Sequence, residues 1–118
     1  MKDKTILIIE DDDDILQVLE TILIHVNYHV VGINKTDDII KSIEKYSPDI
    51  VITDFLLNGL HGGRICQAIK SNSVTRHIPV VLISAFIDFA NIYGDFGFDA
   101  IISKPFELVD IVRTIKRL

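Results

Sequence analysis

Cysteine, basic charge and long apolar runs are scarce in this sequence, and each scarcity closes off a class of protein. Cys66 is the only cysteine in 118 residues, so no disulfide can form within the chain, and at a helical apolar position it reads as a small core residue. No apolar run approaches the roughly 18 residues that a membrane span requires. Met-Lys-Asp-Lys leads directly into a short strand-like run, without the pattern of a signal peptide. The cytoplasm is the expected compartment. Lys and Arg number 12 against 17 Asp and Glu, a net charge of −5, which argues against direct nucleic-acid binding and leaves chemistry with a metal cation open. The four histidines have no ligand spacing. No repeat, low-complexity segment or linker interrupts the chain. Its 48% apolar and 25% charged residues are those of an ordinary globular protein, and residues 1–118 read as one domain able to bury a core without staples.

What is present is an alternation of two periodicities. Thr5 to Ile9, Tyr28 to Ile33, Ile50 to Thr53, Pro79 to Ser84 and Ala100 to Ser103 are short apolar runs rich in β-branched residues, as expected of strands buried on both faces of a parallel sheet. Between them lie helical patterns. One begins at Asp12, a capping residue with Asp13 and Asp14 in its first turn, and runs to about Val26; Ile15, Leu16, Leu19, Ile22 and Leu23 mark its core face. A second opens at Thr36-Asp37-Asp38 and ends near Tyr46, closed by Pro48. Gly62-Gly63 precede a third, to about Ser71. A fourth is expected over Phe86 to Phe96, and Glu107 to Leu118 is the last. Five βα units imply parallel strands joined by helical crossovers, a three-layer (βα)5 sandwich of the α/β class.

In such a fold the C-terminal ends of all strands share one edge, where ligands bind. The polar residues there are Glu10 and Asp11 after the first strand, Asp54 after the third, Ser84 at the end of the fourth and Lys104 after the fifth; the second strand ends instead in Ile33-Asn34. The helix cap explains Asp12 to Asp14 but not Glu10 and Asp11. Three converging carboxylates call for raised pKa values or a bound cation. Oxygen ligands alone select a hard ion, of which Mg²⁺ is the expected one. With a lysine and a hydroxyl added, the set suits a phosphoryl group, Asp54 being the nucleophile.

These pieces, Ile6-Leu-Ile-Ile-Glu-Asp-Asp12, Asp49-Ile-Val-Ile-Thr-Asp-Phe55 with Asn58-Gly-Leu-His-Gly62, Pro79-Val-Val-Leu-Ile-Ser-Ala85 and Asp99-Ala-Ile-Ile-Ser-Lys-Pro-Phe106, occur in the order found in receivers. Over essentially its whole length the chain resembles a response-regulator receiver domain of two-component signalling. The resemblance implies a flavodoxin-like five-stranded sheet of order 2-1-3-4-5. It implies that Asp54 accepts a phosphoryl group from a sensor histidine kinase or a His-phosphotransfer protein. Asp11, Asp54 and the main-chain carbonyl of Leu56 would bind Mg²⁺ directly, and Glu10 through water. Lys104 would pair with the phosphoryl group, before a cis peptide to Pro105, and Ser84 would move toward it. A downstream protein partner and a homodimer formed on phosphorylation are further implications. Ile101 departs from the family pattern, standing where many receivers carry an aromatic residue.

Two other functions use similar parts. A phosphatase with a strand-end aspartate nucleophile would need that nucleophile on the first strand and would leave the Asp54 loop without a role. A flavin-binding domain would need a Ser/Thr/Gly-rich phosphate loop in the first βα turn, where this chain has carboxylates. The expectation is a signalling domain and not an enzyme in the usual sense.

Overall fold

A computed structural model describes residues 4–54, 62–84 and 97–118. Within them five parallel strands, β1 (Thr5–Ile9), β2 (His29–Ile33), β3 (Ile50–Asp54), β4 (Val80–Ser84) and β5 (Ala100–Ser103), form one sheet of order β2-β1-β3-β4-β5. Helices α1 (Asp13–His25), α2 (Ile39–Tyr46), α3 (Gly62–Ser71) and α4 (Leu108–Lys116) complete the described elements. The helix expected over Phe86 to Phe96 lies outside the described residues.

The sheet separates two cores, and the strands feed both by alternation. Ile6, Ile8, Ile50, Ile52, Val81, Ile83 and Ile102 point to the face covered by α1 and α4, where they meet Leu16, Leu19, Leu23, Ile111 and Ile115. Leu7, Ile9, Val51 and Val80 point to the other face, against Ile39 and Ile43 of α2 and Ile65, Cys66 and Ile69 of α3. Burial on both faces is why the central strands read as unbroken apolar runs. Cys66 is fully buried, and burial pushes its thiol up to about 12, as befits a packing residue.

Helix starts follow the side chains available. Asp12 caps α1, its carboxylate accepting from the amides of Asp14 at 2.9 Å and Ile15 at 3.1 Å. At α2 the third residue of the Thr36-Asp37-Asp38 run is the cap: Asp38 accepts from Ile40 and Lys41. Thr36 is buried against the helix and shares a hydrogen bond of 2.8 Å with Ser42. Gly62 and Gly63 lie inside α3 and not before it; both are buried, and this placement overrides their low helix propensity of about 1 kcal/mol. β2 begins at His29, one residue later than the apolar pattern suggests, because the Tyr28 amide still donates to Leu23 at the end of α1.

Acids at the N-terminal edge of the sheet are satisfied by strand backbone. Asp49 accepts from the Thr5 amide and Asp99 from the Val80 amide, each at 2.8 Å. Lys70 joins Asp99 at 2.8 Å and also donates to the carbonyl of Ile78 at 2.9 Å, tying α3 to the start of β4 and β5. At the opposite edge Glu10 and Asp54 instead share a lysine, Lys104.

Leu19, fully buried under the sheet, and Val18, half exposed beside it, separate packing from propensity. Leu19→Ala is expected to lower the unfolding free energy by about 2–5 kcal/mol and Val18→Ala to change it by less than about 0.5 kcal/mol, as measured by urea denaturation.

Candidate functional site

The sheet register assembles the site. Ile9 pairs with Thr53, so Glu10 and Asp54, the next residues along, are neighbours; Ser84 pairs with Ser103, so Lys104 follows directly at the same edge. The Lys104 amide donates to the Ser84 carbonyl at 2.8 Å, and the Lys104–Pro105 peptide is cis.

Carboxylate oxygens of Glu10, Asp11 and Asp54 lie within 4.8 Å of one another. At that separation each like-charged pair costs about 3 kcal/mol for an effective dielectric of about 20. The Lys104 ammonium is set between two of them, 2.6 Å from Asp54 Oδ2 and 3.1 Å from Glu10 Oε1. One ammonium against three carboxylates still leaves two negative charges in a region where Glu10 is only 1% exposed. Proton affinity registers the imbalance. Burial and then the charge of Asp54 push the Glu10 carboxyl up to about 7, against the opposing pull of Lys104. For Lys104 burial disfavours the ammonium, but the hydrogen bond and charge of Asp54, with Glu10 adding to them, outweigh it and raise its pKa.

Glu10 is held at every polar atom. Its amide donates to the Ile33 carbonyl at 3.0 Å, its Oε1 accepts from Lys104 and its Oε2 accepts a long 3.4 Å bond from the Asp12 amide. Its carbonyl accepts from the side-chain amide of Asn34 at 3.1 Å. Asn34 also donates to Asp13 at 2.7 Å. Asn34 ends the one strand with no acid, lysine or hydroxyl after it, and an amide directly after a strand is the only signal of it in the sequence.

Of the predicted site residues, Glu10, Asp11, Asp54 and Lys104 thus form one cluster. Ser84 is buried at the adjoining strand end, and Leu56 lies outside the described residues. Three carboxylates, with no His or Cys in the cluster among the described residues and one lysine to bring the formal charge to −2, fit a hard divalent cation.

The sequence matches the Response regulator receiver domain over residues 6–116. The chain belongs to this family. Response regulator ArlR of Staphylococcus aureus is 32% identical to this receiver domain in an alignment of 116 positions that covers 96% of the chain and 51% of the relative. The chain thus spans about half the length of the curated relatives it matches. A crystal structure of a protein assigned as a response regulator from Chloroflexus aurantiacus has a TM-score of 0.91 at 30% identity, covering 98% of this chain and 97% of that one. The receiver domain of a sensor histidine kinase from Pseudomonas aeruginosa, solved with magnesium coordinated in its active-site cleft, has a TM-score of 0.88 at 22% identity, covering 98% and 97%. The receiver is a signalling domain of two-component systems. Ile101, at the departure from the family's aromatic position, is 45% exposed on edge strand β5. No helix among the described residues is long and apolar enough to cross a membrane.

The Glu10 shift has a definite sign. Between its ordinary value of 4.5 and about 7 the folded chain keeps a proton that the unfolded chain has released, so this group destabilises the fold as pH rises through that window. Without divalent cations, wild type is expected to lose on the order of 1–3 kcal/mol relative to Glu10→Gln between pH 5 and pH 7.5. Urea denaturation at the two pH values measures the difference, and parallel curves would contradict the assignment.

Proposed function

We propose that the whole of residues 1–118 acts as one receiver domain in which Asp54 accepts a phosphoryl group, with Mg²⁺ as cofactor, from a sensor histidine kinase or a His-phosphotransfer protein. The observation that carries the reading is the 2.6 Å contact of Lys104 with Asp54 inside the cluster of three carboxylates. Glu10, Asp11 and Asp54 would hold the cation, with the carbonyl of Leu56 as a further ligand. When bound, the cation neutralises charge on the phosphoryl oxygens.

The remaining chemistry belongs to side chains. An Asp54 carboxylate oxygen attacks phosphorus while the bond from phosphorus to the donor imidazole nitrogen breaks, its electron pair staying on nitrogen. Lys104 then exchanges its contact with the Asp54 carboxylate for one with a phosphoryl oxygen, and the ammonium that lay between two acids comes to pair with the new dianionic group. The Ser84 hydroxyl donates to another phosphoryl oxygen. Because Ser84 lies in the sheet edge next to the Lys104 backbone, this hydrogen bond would draw in the segment that follows β4 and alter the surface offered to a downstream protein or to a second phosphorylated copy. The negative net charge fits a domain that contacts proteins and not nucleic acid, and the expected compartment is the cytoplasm.

Intact mass after incubation with acetyl phosphate tests the reading. Wild type is expected to gain one phosphoryl group only when Mg²⁺ is present, and Asp54→Asn to gain none. Consumption of the donor without an adduct would point to a phosphatase. Neither adduct nor consumption would leave a receiver used for protein contact alone.

A further inference from the structure

The connection from β1 to α1 carries two of the three clustered acids on only three residues, Glu10 to Asp12. Its two ends are joined from outside by one side chain. The Asn34 amide nitrogen, exposed just beyond β2, donates to the Glu10 carbonyl at 3.1 Å and to the Asp13 carboxylate at 2.7 Å. A carboxamide nitrogen has two hydrogens, so these two bonds use both. The opposite amide orientation would set its oxygen against two acceptors, which fixes the side chain as drawn.

We infer that Asn34 is a positioning residue for the cation site: by bridging the last carbonyl before the loop and the first side chain after it, it fixes the span from which Asp11 projects. The bridge has a second effect. Asp13 is one of four consecutive aspartates, and its engagement with Asn34 directs its carboxylate to β2, away from competition with Asp11 for an ion. Glu10 itself is anchored through Lys104 and the Ile33 carbonyl. Asp12 is committed to capping α1, and Asn34 completes the frame around Asp11. Outer contacts of this kind typically govern metal affinity by about 10- to 100-fold. The inference rests on reading Glu10, Asp11 and Asp54 as a cation site.

The test is calorimetric titration with MgCl₂, at fixed pH and ionic strength, of wild type, Asn34→Ala, Asp13→Ala and the double variant, with unfolding midpoints recorded in parallel. Asn34→Ala is expected to bind Mg²⁺ about 10-fold more weakly. Asp13→Ala should weaken binding less in the Asn34→Ala background than in wild type, because the bridge it would break is already gone. An Asn34→Ala affinity within about twofold of wild type, whether or not the midpoint falls, would overturn the inference, as would strict additivity of the two substitutions. Wild type that takes up no Mg²⁺ would overturn the cation-site reading and the bridge together, whereas tight binding by wild type and Asn34→Ala alike would overturn the bridge alone.

Discussion

The Lys104 ammonium, held 2.6 Å from Asp54 and 3.1 Å from Glu10, is the interaction on which the functional edge of this receiver depends. Three carboxylates within 4.8 Å of one another repel by about 3 kcal/mol per charged pair at an effective dielectric of about 20, so they call for a cation or a proton among them. The lysine offsets part of this repulsion. What it leaves is a site with two excess negative charges and a glutamate whose proton affinity lies near neutrality. Such a charge balance favours a further cation at this edge.

That charge imbalance is sustained by apolar packing. Ile9, Ile52 and Ile83, immediately behind the acidic edge, are at most 1% exposed, and each strand sends alternate residues into the two cores. The strand ends therefore cannot spread apart without opening both cores. At the far edge the design is reversed. Asp49 and Asp99 accept strand amides, and Lys70 neutralises Asp99, so the acids of that edge are spread apart on separate partners while Glu10, Asp11 and Asp54 are drawn together.

Much of this is legible in the sequence, for identifiable reasons. Unbroken β-branched runs alternating with 3.6-residue patterns specify parallel strands and crossovers, and parallel strands oblige Glu10, Asp11, Asp54 and Lys104 to meet although 94 residues separate Glu10 from Lys104. The strand order came from resemblance, since periodicity says nothing about which strands are neighbours. Boundaries drifted where tertiary contacts outweigh local preference, as at Gly62 and Gly63, buried in the first turn of α3. The role of Asn34 exists only in three dimensions: it lies 24 residues from Glu10 and 21 from Asp13 in sequence. Nothing in the local pattern links an exposed amide after β2 to a loop after β1.

The acidic edge is proposed as one cation site, organised by convergence of β1, β3 and β5. Substoichiometric Mn²⁺ added to the ¹⁵N-labelled protein tests it directly, because paramagnetic broadening reports distance from the bound ion without reference to phosphorylation. With a single site, the amide signals of Glu10, Asp11, Asp54 and Lys104 broaden first and together, while those of Asp37 and Asp38 at the start of α2 persist. Broadening that begins at Asp37 and Asp38, or spreads evenly over the acidic surface, would contradict it.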